Sequence, residues 1–494
     1  MSYRAFPSAP RRHRTRIWAT RLSHSVRAFA PSRFRLSDFF TASRIAGRYS
    51  ASCAGAAALI ALSTIALSAQ SAEEHLRKGF DFGAAGKYSE AIQEFETAVQ
   101  MAPRSAQAHY GLGVAKWWVR DLDGGITSLN FAVKLDPGLA EAHYFLGLAL
   151  QQKGDLKNAL SEIEAAVRLR PRLAQGYNSR GLLQQQLGDK PAAIESFRKA
   201  IQESPTFEEA QNNLGLALLQ TGDAAGAAEQ FEAILRQNPE KLDAMNNLAL
   251  TLLQRGDLQA AIQVLNRLLE LSPDHAEARY NLGVALKQKD DFAGAEVELQ
   301  KAIRQRPDFP DAYYTLAITF WQQGRIEGAI EALENALRFR PDYVEALFTL
   351  GALMKERSNY ELAREYFERA IRIKSNYPEA YVALAGVLKK QGQLKPAAEA
   401  LQRAEDLRKQ KQNLEAATFA THAAQQLLLK GDLEGSIKQL QLAVTLAPDY
   451  APAHFQLGRA LLKKGLKQAG EASLRRAREL DLNVEHSSLR PIVR

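Results

Sequence analysis

The sequence predicts an all-α solenoid built from stacked helix-turn-helix units, and three observations carry that prediction. Proline stands at 103, 137, 171, 205, 239, 273, 307 and 341, 34 residues apart each time, and Ser375 takes the next slot. Counting each unit as ending two residues after its proline, the eighth position is small throughout, from Gly79, Gly113 and Gly147 to Ala317, Gly351 and Ala385. The twentieth is small as well, from Ala91 and Gly125 to Ala363 and Ala397. Bulk fills two other places. Leu112, Leu146, Leu214, Leu248 and Leu282 hold position seven, and Phe95, Phe197, Phe231, Leu265, Leu333 and Phe367 hold position twenty-four. Small residues let two helices approach, and large ones fill the space that is left.

Each unit also carries its own punctuation. Glycine at position fifteen (Gly86, Gly154, Gly188, Gly222, Gly256, Gly324, Gly392, and Gly431 in a later unit) can take the left-handed conformation that closes the first helix. Aspartate follows it. Asp155, Asp189, Asp223, Asp257, Asp291 and Asp432 are placed to accept from the free amides that open the second helix, each cap contributing about 1 kcal/mol. Pro191 and Pro396 fall in the first turn of second helices, where a missing amide hydrogen is harmless. The periodic prolines end those helices, because proline clashes with the preceding turn.

These positions resemble the tetratricopeptide repeat family, and the resemblance covers residues 72 to 484. It implies a right-handed superhelical solenoid of helix-turn-helix repeats. It further implies that the first helices line a concave face, with positions two, five, six, nine, twelve and thirteen pointing into it.

Taken in order, the chain opens on a basic leader. Residues 1–50 hold eleven arginines, no lysine and one acid, Asp38, so they carry 11 − 1 = +10 of the net charge of +9, and residues 51–494 carry −1. The apparent hint of nucleic-acid binding therefore belongs to the leader alone. Residues 51–71 follow with the apolar run ASCAGAAALIALSTIALSA at 51–69. Leader and run together read as an export signal cleaved near residues 69–72, or as an uncleaved anchor through 51–69. An organellar transit peptide and an upstream start-site error stay open. The expected location is exported, periplasmic or extracellular, or membrane-anchored, with an organelle as the alternative.

Ten repeats occupy 72–411, and then the register slips. The next proline, Pro448, lies 73 residues after Ser375, five more than two repeats require. The extra residues fall at 412–416, inside a stretch with no turn signal before Gly431-Asp432, which reads as unbroken helix. Two further repeats fill 417–484, and the tail 485–494 has no apolar periodicity.

Catalytic patterns are missing from this sequence. It holds no HExxH, no GxSxG and a single cysteine, which excludes paired-cysteine zinc or redox chemistry within one chain. Gly86-Lys87 fails as a phosphate loop, since Asp81 and Tyr88 stand where a glycine and a Ser or Thr belong. His75, His109, His143 and His454 share position four of separate repeats, too far apart for one metal, and are expected to pack. No cofactor is expected, and the chain is expected not to be an enzyme.

The rows implied to face the groove are not random. Position two is acidic at Glu209, Asp243 and Glu277, among others. Position five brings Tyr110, Tyr144, Asn178, Asn212, Asn246, Tyr280 and Tyr314; position six brings Asn213, Asn247 and Asn281; position thirteen brings Gln186, Gln220, Gln254 and Gln288. Side-chain amides offer both a donor and an acceptor, so such a ladder can pair with an extended peptide whatever its sequence. The run Asn213, Asn247, Asn281 resembles the asparagine ladder in the repeat domain of O-linked N-acetylglucosamine transferases, although no transferase domain is present. These asparagines are expected to face solvent. The partner is expected to be a protein or extended peptide, neutral or basic, because the position-two acids would repel an anion. No nucleic acid is expected, since a helical-repeat RNA binder needs a basic groove. A non-catalytic subunit of a larger enzyme or envelope-assembly complex stays open as the second reading.

Overall fold

The structure is a computed structural model that describes residues 71–481, and every regular element among them is a helix. The basic leader (1–50), the apolar run (51–69) and the tail (485–494) lie outside the described residues. The chain divides into two compact units, one ending at Asn213 and the other beginning at Leu214.

In the first unit a helix at 71–84 (α1) is followed by α2 (Tyr88–Met101), α3 (Ala106–Trp118), α4 (Leu122–Leu135), α5 (Ala140–Lys153), α6 (Leu156–Leu169), α7 (Ala174–Gln186) and α8 (Lys190–Glu203). Helix α9 (Glu208–Gln220) carries the boundary. The second unit continues with α10 (Ala224–Gln237), α11 (Leu242–Arg255), α12 (Leu258–Leu271), α13 (Ala276–Gln288), α14 (Phe292–Gln305), α15 (Pro310–Gln322), α16 (Ile326–Phe339), α17 (Val344–Glu356), α18 (Tyr360–Ile373) and α19 (Pro378–Lys390). It closes with α20 (Leu394–Leu429), α21 (Leu433–Leu446), α22 (Ala451–Lys463) and α23 (Lys467–Leu480). Within each unit the helices form consecutive pairs packed on their neighbours in sequence.

What sets the distance between the two helices of a repeat is a single contact. A Cβ added at Gly79, Gly181, Gly215 or Gly351 would stand 2.6, 2.5, 2.6 or 2.8 Å from the ring of Phe95, Phe197, Phe231 or Phe367, the position-twenty-four residue of the same repeat. All four rings are fully buried. Where position eight is alanine, at Ala249, Ala317 and Ala385, position twenty-four is Leu265, Leu333 or Leu401 and never phenylalanine. The two positions share one volume, so phenylalanine at twenty-four stands only over glycine at eight.

The turn between the helices is equally constrained. All eight position-fifteen glycines adopt φ between 75° and 88°. Where the residue is not glycine the conformation persists: Arg120, Asp290 and Ser358 hold φ of 71°, 62° and 59°. The packing of the pair therefore imposes the left-handed turn, at a cost of about 1 kcal/mol for a residue with a Cβ. Side chains of Asp155, Asp189, Asp223, Asp291 and Asp432 accept from the amide three residues on, as the sequence predicts. Asp257 departs from that expectation. It makes no cap bond, because its carboxylate lies 3.0 Å from Arg255 instead.

Helix α20 runs unbroken for 36 residues through 412–416. Ala397, Ala400, Ala404 and Leu407 are buried in its first part, and Ala417, Ala420, Thr421 and Ala424 in its second. Nothing between Arg408 and Ala416 is buried. The second helix of one repeat and the first helix of the next are thus fused through a stretch that touches no core. Among the described residues, no helix is long and apolar enough to cross a membrane.

The shared volume at positions eight and twenty-four is testable. Gly181→Ala should destabilise α7 and α8 by about 1–3 kcal/mol through overpacking, read as faster native-state amide exchange in those helices. The pair Gly181→Ala with Phe197→Leu should recover most of the loss, since Ala249 over Leu265 is the same combination. Equal losses in the single and double variants would refute the ring contact as the origin.

Candidate protein-binding face

The first helices of successive repeats stand side by side: α3 touches α5 and α5 touches α7, while in the second unit α11 touches α13, α13 touches α15 and α17 touches α19. Side chains at equivalent positions therefore form rows, and hydrogen bonds cross from one row to the adjacent row of the neighbouring repeat, joining residues 35 apart. Asn213 donates its amide to Asn178 Oδ1 at 3.0 Å in the first unit. Asn281 donates to Asn246 Oδ1 at 2.8 Å in the second. Gln151 donates to Gln186 at 3.1 Å, and the Tyr144 hydroxyl lies 3.5 Å from Ser179 Oγ.

This corrects the expectation that the asparagines face solvent. Asn281 and Asn178 are buried at 5% and 7% exposure, and Asn213, Asn246 and Asn247 are half-buried. Asn212 and Asn247 also engage partners. An unpaired amide in such a place is costly, so the row satisfies itself by bonding between repeats. The exposed members are the position-thirteen glutamines Gln186, Gln220, Gln254 and Gln288. Tyr144 is buried, and Tyr110, Tyr280 and Tyr314 are half-buried. Tyr110 lies between Phe80 and Phe145, with ring centroids at 6.4 and 6.0 Å.

The position-two acids are less available than their row suggests. Glu277 binds Arg306 at 2.9 Å, Glu141 binds Arg170, and Asp311 takes a two-pronged bond from Arg340 at 3.0 and 2.8 Å. Each arginine occupies position thirty-one of the same repeat, directly before the periodic proline. Glu209 and Asp243 are exposed and form no ion pair among the described residues.

The arginines have a second function. Arg306 lies 3.5 Å from the centroid of Phe309 and Arg340 4.6 Å from that of Tyr343, while Lys374 takes the same place 5.0 Å from Tyr377. Those position-thirty-four rings in turn pack on position five: Tyr280 on Phe309 at 4.9 Å, Tyr314 on Tyr343 at 5.2 Å and Phe348 on Tyr377 at 5.3 Å. The Tyr343 hydroxyl donates to Asp311 at 3.0 Å. Burial and the Asp311 charge push that hydroxyl far above its ordinary value, so it remains a donor. Burial alone raises the Asp311 carboxyl, but the bonds from Arg340 and Tyr343 outweigh it and hold the group below the usual carboxylate range. Sequence reading missed this cluster, although one signal was present: a basic residue before the proline slot at 306, 340 and 374, and an aromatic three residues later.

Position four proves to be a staple. His109, His143, Gln211, Arg279 and His454 each bond the carbonyl of the periodic proline six residues earlier, at 2.7–3.2 Å. His75 and His143 also bind Glu94 and Glu162 at 2.6 Å, and Arg279 binds Glu298 at 2.9 Å, each pair joining the two helices of one repeat. The four histidines thus share a structural position. One basic row stays unpaired. Lys287, Lys355 and Lys389 at position twelve form no hydrogen bond or ion pair among the described residues, and burial pushes the Lys287 ammonium below its ordinary value.

A chain of stacked helix pairs with polar rows across its first helices, and no catalytic cluster among the predicted site residues, defines a helical-repeat scaffold. Two family models described as Tetratricopeptide repeat match it, one at 119–174, 150–206, 178–241, 212–274 and 314–378, the other at 252–318 and 353–418. A third, described as TPR repeat, matches 82–117 and 424–465. The chain belongs to the tetratricopeptide repeat family. No curated protein matches it. Similar solved structures include MamA (27% identity over 33% of this chain and 95% of that one, TM-score 0.31). Another is YrrB, described as a TPR protein with an unusual peptide-binding site (24% identity, 37% and 95%, TM-score 0.32). A third is a tetratricopeptide repeat protein from Parabacteroides merdae (18% identity, 58% and 99%, TM-score 0.38).

The Asp311 cluster makes a prediction about pH. Because the folded-state pKa lies below the unfolded one, the contribution is complete above the ordinary carboxylate range and is lost as pH falls through the depressed value. Asp311→Asn should therefore lower the melting temperature at pH 7, by roughly 1 kcal/mol for a half-exposed pair. The gap between variant and wild type should close below about pH 4. A gap that is constant from pH 7 to pH 3 would show that the carboxylate charge is not what the cluster uses.

Proposed function

We propose that the chain is a non-enzymatic scaffold that holds an extended partner polypeptide along the face formed by its first helices. The observation that carries this reading is the repeat-to-repeat amide bonding of Asn213 to Asn178 and Asn281 to Asn246. It fixes polar side chains at two junctions between repeats, so the surface there is ordered before any partner arrives, and preorganisation lowers the entropic cost of binding. Gln254 and Gln288 remain exposed beside these rows with unused amide donors and acceptors. Exposed Glu209 and Asp243 favour a neutral or basic stretch of the partner where it passes them. A non-catalytic subunit of a larger assembly is the same reading with its partner encoded elsewhere.

The test is a partner isolated by pull-down from native extract and then titrated against variants of the full chain. Gln254→Ala with Gln288→Ala should remove hydrogen bonds of about 0.5–1.5 kcal/mol each, weakening binding about tenfold without lowering the melting temperature. Asn281→Ala should instead lower the melting temperature, because it leaves Asn246 without its donor. A partner that binds the double glutamine variant and Asp243→Lys as well as wild type would exclude this face.

The basic leader and the apolar run at 51–69 support an exported or membrane-tethered protein. Cell fractionation with N-terminal sequencing should find a mature start near residues 69–73 or a membrane-bound chain. Soluble cytosolic protein beginning at Met1 would overturn this.

A further inference from the structure

Position nine on the first helices is filled by Leu148, Leu182, Leu216, Leu250, Val284 and Ile318 in six successive repeats. The next two repeats break the row with Ala352 and Gly386. A cavity of about 260 Å³ opens there, lined by Phe348, Ala352, Lys355, Glu356, Phe367 and Ala383. Its apolar wall is sound: Phe367 is fully buried in the second helix of the repeat, and Phe348 packs on it with ring centroids 5.6 Å apart. The Lys355 ammonium reaches across to α19, 3.5 Å from where a Cβ on Gly386 would stand, and no other atom lies within 4 Å of that point apart from Lys355 Cε at 3.9 Å. So the place left vacant by the missing side chains opens onto a lysine.

We infer that this cavity is a specificity pocket taking one bulky apolar side chain of an extended partner peptide, with an acidic residue beside it in the partner held by Lys355. The inference rests on the reading of the first-helix face as a peptide-binding track, and it names what one point of that track selects. Three observations converge. The pocket exists because small residues replace the Leu, Val or Ile that the chain uses elsewhere in the row, so a guest side chain restores a packing that six repeats already contain. Lys355 sits at the mouth, and Lys389 and Lys390 follow it at positions twelve and thirteen of the next first helix. None of the three lysines has an ion-pair partner among the described residues. Glu356 is the acid among the lining residues and balances Lys355, and the positive excess comes from Lys389 and Lys390 on the next first helix. A carboxylate next to the apolar anchor satisfies the ammonium, whereas a lysine there meets like charge. The partner is therefore polar in its own sequence. Its neutral or basic stretch passes Asp243, and its apolar-acidic pair reaches Lys355.

The experiment uses the full chain and three fluorescently labelled nine-residue peptides of Gly and Ser that differ only at the two central positions: Phe-Asp, Phe-Lys and Ser-Asp. Binding is read by fluorescence polarisation. Phe-Asp should bind at least tenfold tighter than either of the others. Ala352→Leu should abolish that advantage while leaving the melting temperature unchanged, because leucine at this position is what Leu148, Leu182 and Leu250 already supply. Lys355→Glu should reverse the preference, so that Phe-Lys binds tighter than Phe-Asp. If Phe-Asp binds Ala352→Leu as well as wild type but loses affinity for Gln254→Ala with Gln288→Ala, the track stands and the pocket is overturned. If none of the three peptides binds, the pocket is overturned, and the track is decided separately by the native partner titrated against Gln254→Ala with Gln288→Ala.

Discussion

The close approach of two helices at positions eight and twenty-four is the constraint on which the rest of this chain depends. A phenylalanine ring lies where the Cβ of its partner position would otherwise be, and only glycine leaves room for it. Once that separation is set, the connecting turn has no freedom left. Arg120, Asp290 and Ser358 accept a left-handed backbone that glycine adopts without strain. Position four likewise reaches the carbonyl of the proline six residues earlier, whichever of histidine, glutamine or arginine supplies the donor. Geometry is repeated more faithfully than chemistry. That is what a solenoid requires, because each repeat is stabilised only by its neighbours.

Two kinds of polar residue line the first helices, and they differ in what they are free to do. Asn178, Asn213, Asn246 and Asn281 are consumed in bonds between repeats, which makes them part of the scaffold as much as of its surface. The position-two acids of three repeats are likewise consumed by arginines, two of which, Arg306 and Arg340, also cover aromatic rings. Free polar capacity is left at Gln254 and Gln288 of position thirteen, at Glu209 and Asp243, and at the lysines of position twelve. A partner would be chosen by this remainder. The amide and acid rows build the platform on which it is presented.

The fusion at α20 shows how far the repeat plan bends. Its buried residues keep the phase of one repeat up to Leu407 and resume the phase of the next at Ala417. The intervening turns bury no side chain and are held by the helix's own hydrogen bonds and local i,i+4 contacts such as Lys411 with Glu415. Five extra residues are accommodated because helix continues wherever no glycine or proline stops it, and none occurs between Pro396 and Gly431.

Period, helix pairing, turn glycines, every aspartate cap but that of Asp257, and the identity of the packed positions were determined by the sequence alone, since each depends on residues within one repeat. The five-residue slip was legible for the same reason. What tertiary structure decided was availability. Whether Asn281 faces solvent, whether Glu277 is a free charge, and whether Asp257 caps a helix or pairs with Arg255 all turn on neighbours that a row of equivalent positions does not display. A row at period 34 shows which side chains share an environment, but not whether that environment supplies them with partners. The partner of Asn281 comes from the repeat before it, and that of Glu277 from the far end of its own repeat. Only the stacking of one helix on the next brings them within hydrogen-bonding distance.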